Sequence, residues 1–96
     1  MIKPTVGRVV WYWPDGAGGP EAQPYAAIIA YVWSDRLINI GYFDQDGEHD
    51  NEISVVLVQE GDPRPASRFC EWMPYQMGQA AKTEALQAQL SGDVKS

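Results

Sequence analysis

Runs of apolar residues separated by short polar breaks divide the first three quarters of the chain. The runs are rich in β-branched and aromatic residues and bounded by Gly, Pro, Asp and Ser, which is typical of strands. The pattern predicts five strands, with bounds near residues 6–13, 25–33, 37–43, 53–59 and 68–73.

The breaks between the runs differ in length and kind. The first, from Pro14 to Pro20, is rich in Gly and predicts a flexible loop. Ser34-Asp35-Arg36 and Asp44-Gln45-Asp46-Gly47 are short enough for tight hairpin turns, and Asp-Gly tolerates the positive φ that such turns need. In the second run both alternating sets of side chains are apolar, which predicts a central strand covered on both faces.

Five short strands joined by tight turns predict a small closed barrel of the SH3-like or OB type. We favour the SH3-like type because no helix interrupts the run of strands. From Tyr75 onward Gln, Ala, Glu, Lys and Leu predominate, which predicts a helical tail with Pro74 in its first turn and Gly92 as its cap. The apolar stripe of this helix is thin, so it either docks lightly, packs on a neighbouring subunit or stays solvated. We therefore expect a barrel domain at residues 1–74 and a tail at 75–96.

Length and composition narrow the class of protein. A chain of 96 residues supports one domain, and seven Lys and Arg against thirteen Asp and Glu give a net charge of −6. That charge argues against general binding of nucleic acids or anionic membranes. A single cysteine excludes an internal disulfide, and we expect a soluble cytoplasmic protein. The longest apolar run is about half of what a membrane-spanning helix needs.

The negative charge is concentrated in one segment. Residues 44–62 carry seven acids and no base, so the rest of the chain is nearly neutral. The spacing of the acids does not fit an EF-hand, and neither a metal nor a cofactor is predicted. The segment is either a solvated hairpin tip or an acidic surface for a basic partner. The acids concerned are Asp44, Asp46, Glu48, Asp50 and Glu52.

Aromatic side chains are unusually frequent, with eleven in the chain. A small barrel core holds roughly four or five large rings before it overpacks, so the surplus either forms a binding surface or caps the open ends of the barrel. The predicted ligand- or partner-binding residues are Trp11, Trp13, Trp33 and Trp72, with Arg8, Arg36 and Arg68 to pair with anionic groups.

No catalytic set accompanies these rings. His49 is the single histidine, and neither Ser54 nor Cys70 has a recognisable base beside it, so we do not expect an enzyme. Cys70 fits a small buried hydrophobe. Gly16, Gly18 and Gly19 follow a strand, but without a following helix they predict a hinge or lid rather than a phosphate-binding loop.

Several segments together resemble a group of small hypothetical proteins of tailed bacteriophages and prophages. The shared features are an early Val-Gly-x-Val-Val strand, Ala26-Ala27-Ile28-Ile29-Ala30-x-Val32, Leu37-Ile38-Asn39-Ile40, Phe43-Asp44-x-x-Gly47, Ser54-Val55 and Cys70-Glu71-Trp72-Met73-Pro74. The resemblance covers roughly residues 6 to 76 and implies phage origin and an SH3-like barrel, with no catalytic residues to transfer.

The leading hypothesis from the sequence is a non-catalytic phage accessory protein that binds a host factor or a small anionic ligand, for example to inhibit a host defence system. The alternative is a virion structural protein, either a decoration or an adaptor protein. Surplus aromatic area predicts a homo-oligomer under both hypotheses.

Overall fold

A computed structural model describes residues 1–79 of the chain. It contains five strands and, at residues 74–79, a short helix. The strands are β1 (Val9–Trp13), β2 (Tyr25–Ser34), β3 (Leu37–Phe43), β4 (His49–Val58) and β5 (Phe69–Glu71).

The strands form a closed barrel in chain order, which confirms the prediction of a mainly β barrel. Neighbouring strands are antiparallel from β1 through β4, and β5 closes the barrel between β4 and β1. Cys70 lies at the closure, opposite Leu57 of β4 in a parallel pair and opposite Tyr12 of β1 in an antiparallel pair. A strand paired on both sides leaves no open edge to a neighbouring chain.

The core follows the period of two that strands impose. Each of the first four strands contributes two inward residues at alternate positions, and β5 with its flanks completes the cluster. Its buried members include Val10, Tyr12, Ala27, Ile29, Ile38, Ile40, Val55, Leu57, Cys70 and Trp72. The interpretation of Cys70 as a small buried hydrophobe is confirmed.

The strand bounds depart from the predicted ones at three places. β5 is shorter at both ends than the predicted 68–73. β1 begins at Val9 because Gly7, with φ +95°, lies in a turn that the apolar pattern does not reveal. β4 begins at His49, so much of the acidic segment is strand and only residues 44–48 form the turn. Within that turn Gly47 has φ +83° and donates its N–H to the carbonyl of Asp44, as the Asp-Gly motif predicts.

The prediction that β2 is covered on both faces is wrong within the described residues. Ala27 and Ile29 are buried, while Ile28, Tyr31 and Trp33 on the other side are exposed. A barrel wall built by a single layer of strands has nothing in the described chain to lie over its outer side.

The first loop is held in place where Gly16 meets the loop between β4 and β5. A Cβ at Gly16 would lie 2.7 Å from the carbonyl oxygen of Ala66, so the two backbones approach as closely as glycine allows. This contact fixes one point of the loop, and the expected hinge or lid stays a prediction.

The helix begins at Pro74, as predicted. Gln76 donates from Nε2 to the carbonyl of Val9, and Met77 packs against the core. The remaining stripe of the predicted tail and its cap at Gly92 lie outside the described residues. Within residues 1–79 no helix is long and apolar enough to cross a bilayer.

Candidate functional site

The outer side of β2 and β3 is without charge. Neither strand contains Asp, Glu, Lys or Arg. Ile28, Tyr31 and Trp33 project from β2 with 43%, 50% and 58% of their surface exposed. We name these three residues and Val9, which is exposed and pairs with Ile28 from β1, the charge-free face.

Trp33 is fixed in position although it is exposed. Its ring meets Tyr31 edge-on with centroids 4.7 Å apart, and its Nε1 donates to Oδ1 of Asn39 at 3.0 Å. The same oxygen accepts the backbone N–H of Ser54, which has φ +53° on β4. An exposed indole held in one orientation loses little conformational freedom on binding, a property of interface anchors.

The structure does not bring the four predicted tryptophans together. Trp72 is buried in the core and donates from Nε1 to Gln59, and Trp13 is buried against Phe69 with its Nε1 on Glu71. Trp11 is half-buried on the outer side of β1. Among the four, Trp33 is therefore the indole that is free to contact a partner broadly.

Two of the three predicted anion-binding arginines already have carboxylate partners. Arg36 donates two N–H groups to the carboxylate of Asp62, the closer at 2.8 Å. This contact lowers the pKa of Asp62 and raises the pKa of Arg36. Arg68 pairs with Glu52. Arg8 lies over the ring of Trp72, with the guanidinium 4.9 Å from the ring centroid.

The predicted acidic surface contains acids that are exposed and acids that are held by hydrogen bonds or an ion pair. Asp46, Glu48 and Asp50 are exposed near the β3–β4 turn, whereas Glu52 is half-buried and held by Arg68. Asp44 is half-buried and accepts the backbone N–H groups of Asp46 and Glu48 on Oδ1, which orders the turn. Within residues 1–79 no group of three or more His, Cys, Asp or Glu is placed to hold a metal ion.

Three tyrosines close the barrel end beside this turn. The ring of Tyr42 lies 4.8 Å from Tyr12 and stacks on Tyr25 at 5.9 Å. Burial, reinforced by the carboxylate of Glu52, raises the pKa of Tyr12 to about 12, and burial also raises the pKa of Tyr42. Both phenols are therefore protonated at neutral pH.

Gln59 is a central residue that the sequence pattern did not single out. It is only 3% exposed. Its Nε2 donates to the carbonyls of Ile2 and Asp35, and its Oε1 accepts the N–H of Ile2 and the indole N–H of Trp72. All four hydrogen-bonding positions of the carboxamide are used. A polar residue at the end of an apolar run gives no sign of this.

Glu71 and Arg64 form an ion pair beside Trp13 and Phe69. Arg64 donates to both carboxylate oxygens of Glu71, at 2.6 and 3.1 Å, and its guanidinium lies 5.9 Å from the ring centroids of Trp13 and Phe69. Because the carboxylate also accepts the indole of Trp13, the group stabilises the fold rather than offering an open site.

Comparisons with known proteins give no relative from which a function follows: no family model matches the chain, and neither a curated protein nor a solved structure is significantly similar to it.

Proposed function

We propose that the chain is a small protein-interaction domain without a catalytic role, which pairs with a second copy of itself through the charge-free face. The observation that carries this proposal is the absence of any charged residue from β2 and β3 while Ile28, Tyr31 and Trp33 stand exposed. Contiguous exposed apolar surface of this kind is typical of interaction sites.

The absence of charge on this face makes a second copy acceptable as the occupant. Two chains of net charge −6 repel each other over most orientations, and the repulsion is smallest where neither surface carries charge. Two charge-free faces stacked across a two-fold axis would bury Tyr31 and Trp33 of both copies without bringing a charged residue of β2 or β3 into the contact. Packing of two sheets face to face is a common way to cover such a surface.

This proposal agrees with both functional hypotheses drawn from the sequence, because a phage accessory protein and a virion structural protein are each expected to form oligomers. A protein partner is better supported than a small anionic ligand, since Arg36 and Arg68 are neutralised by Asp62 and Glu52. Phage origin and a place in the host cytoplasm or virion stay predictions.

We further propose that the barrel is of the SH3-like type. Five strands in chain order, a long first loop and short turns after β2 and β3 support this type, and no helix interrupts residues 9–71.

The mass of the protein in solution tests self-association. We expect light scattering to show a dimer at micromolar concentration, and Trp33→Ser to raise the dissociation constant of the dimer at least about tenfold, because central Trp residues contribute most to interfaces. Tyr31→Ser is expected to act in the same direction.

Tyr75→Ser is the matched control, because Tyr75 is a ring even more exposed than Trp33 and lies on the helix. It is expected to leave the dimer unchanged. A wild-type protein that stays monomeric at millimolar concentration, or a dimer that Trp33→Ser and Tyr75→Ser weaken equally, would contradict the proposal.

A further inference from the structure

Two adjoining cavities form one groove at the barrel end where the β1–β2 loop meets the β3–β4 turn. Their volumes are about 400 and 260 Å³, and they share Gln23, Tyr25 and Gln45 as lining residues. The larger lies against Phe43, and the smaller lies against Trp13 and Gly16. Together they fall within the range of roughly 300 to 1,000 Å³ that is typical of ligand sites.

Every charged residue that lines this groove is an acid. Glu21 and Asp44 line the larger cavity and Asp15 lines the smaller, while no Lys or Arg lines either. Glu21 and Asp15 make no ion pair with another of residues 1–79. The nearby Arg64 over Trp13 is already engaged by Glu71, so it does not neutralise the groove. The electrostatic potential in the groove therefore favours a cationic group.

Aromatic rings form the walls between the acids. Tyr25 is held by stacking on Tyr42, with an interplanar angle of 12°. Phe43, on the neighbouring strand opposite Ala26, is partly exposed. Ring faces attract cations, and a planar guanidinium stacks on a ring while its N–H groups bind a carboxylate.

The two sides of the groove are also ordered before anything binds. Gly16 is packed against the backbone of Ala66, and the N–H of Ala22 donates to the carbonyl of Gly19 at 2.9 Å within the loop. On the opposite side Asp44 orders the turn through two backbone N–H groups. A groove formed in advance costs less conformational entropy on binding.

We infer that this groove binds an extended, arginine-bearing segment of a partner protein. The inference rests on the proposed role as an interaction domain. It assigns the groove to a partner protein other than a second copy, whereas the charge-free face is assigned to the second copy. Arginine side chains of the segment stack on Tyr25 and Phe43 and pair with Glu21 and Asp44. A phosphate-bearing ligand is disfavoured by the same carboxylates.

Fluorescence anisotropy with a labelled peptide of alternating Arg and Ala tests the inference. We expect saturable binding, weaker binding of the Lys counterpart, and loss of binding with citrulline, which keeps the shape of arginine but not its charge. Absence of saturable binding, or equal affinity for the Arg and citrulline peptides, would overturn the inference.

Two double variants of equal charge show whether binding is local. Glu21→Gln with Asp44→Asn is expected to raise the dissociation constant about tenfold, because two charge-assisted contacts are lost. Asparagine keeps the Oδ1 atom that orders the turn. Asp35→Asn with Glu60→Gln removes the same charge at exposed positions that line neither cavity and is expected to change the constant less than about twofold. Equal effects of the two pairs would mean non-specific attraction and would contradict the site.

A ring variant tests the walls of the groove. Phe43→Ser is expected to reduce the preference for Arg over Lys, whereas Tyr75→Ser, on the helix, is expected to leave it unchanged. Repeating the titration in the Trp33→Ser protein separates the two proposals. If the protein is monomeric and still binds the peptide, the proposal of self-association fails and the proposal of the groove stands. If the protein is a dimer that does not bind the peptide, the groove fails and self-association stands.

Discussion

At the scale of single residues, the carboxamide of Gln59 connects three distant parts of the chain. It joins the N-terminal segment at Ile2, the β2–β3 turn at Asp35 and the end of the barrel at Trp72. The backbone N–H of Gln59 donates to Oδ2 of Asp62, whose carboxylate also accepts from Arg36. Ile2 and Trp72 are buried beside this side chain, so their N–H groups lose water on folding and depend on Gln59 to replace it.

Gln59→Ala is expected to destabilise the protein by about 2 to 4 kcal/mol. The substitution leaves the N–H of Ile2 and the indole N–H of Trp72 buried without an acceptor, and unpaired buried donors are costly. Urea unfolding followed by tryptophan fluorescence measures the loss. Gln45→Ala, at the exposed β3–β4 turn, is the control and should change stability by less than about 0.5 kcal/mol. A loss for Gln59→Ala no larger than the control would show that water replaces the side chain.

Residues such as Gln59 and Asn39 mark the limit of what the sequence predicts. Their types and neighbours are ordinary for a turn or an exposed strand position, and their roles depend on groups far away in sequence. The same limit explains Trp13 and Trp72: alternation assigns each ring to a side of a strand, but the outer side of β1 at Trp13 is covered by Phe69 and Arg64. Pattern alone does not reveal that cover.

At the scale of elements, the conformation of the β1–β2 loop depends on Gly16. Its φ of +81° disfavours any side chain, and the carbonyl oxygen of Ala66 lies too close to the position that a Cβ would take. Two separate costs therefore oppose substitution at this position. The loop carries one wall of the groove, so its position matters for binding as well as stability.

Gly16→Ala is expected to cost more stability than Gly47→Ala, by about 1 to 3 kcal/mol. Both positions have nearly the same φ, but a Cβ at Gly47 meets nothing within 4 Å, so Gly47→Ala measures the backbone cost alone. Thermal unfolding of the two variants gives the difference. Equal losses at the two positions would mean that the approach to Ala66 relaxes without cost.

The elements themselves were largely predictable from local pattern. β3 has the bounds that the apolar run gives, and the Asp-Gly turn after it forms as expected. β4 was predicted too short because its first residues are acidic, and acids are depleted from strands in general. Pairing with β3 holds these residues extended despite their weak propensity. Tertiary pairing, not local preference, decided this boundary.

At the scale of the whole molecule, charge and apolar surface are separated. Residues 44–62 contain seven acids, of which Glu52 and Asp62 are neutralised by Arg68 and Arg36. The sequence predicts the acidic segment, but not which acids are paired, because each partner lies on a different part of the chain. The acids near the β3–β4 turn that make no ion pair within residues 1–79, and the charge-free face, give two surfaces of different chemistry. The charge-free face suits a second copy, and the acidic surface suits a basic segment.

The free energy of unfolding of the barrel is expected to decrease at alkaline pH. The pH at which the decrease begins is determined by Cys70, which lies where β5 closes the barrel. Burial raises the pKa of the Cys70 thiol from its ordinary 9.0 to about 12. Above pH 9 the unfolded chain loses this proton while the folded chain keeps it, so the free energy of unfolding decreases by up to about 1.4 kcal/mol per pH unit. Tyr12, raised from 10.0 to about 12, adds a second proton above pH 10.

Urea unfolding at a series of pH values measures this slope, and Cys70→Ala identifies its source. The variant is less stable at every pH because it leaves a small cavity, but between pH 9 and 10 its free energy of unfolding should be nearly level. Above pH 10 both proteins should lose stability because Tyr12 is common to them, and the wild type should lose it more steeply because Cys70 still contributes. Parallel slopes for the two proteins between pH 9 and 10 would mean that the thiol of Cys70 is not kept protonated by the fold.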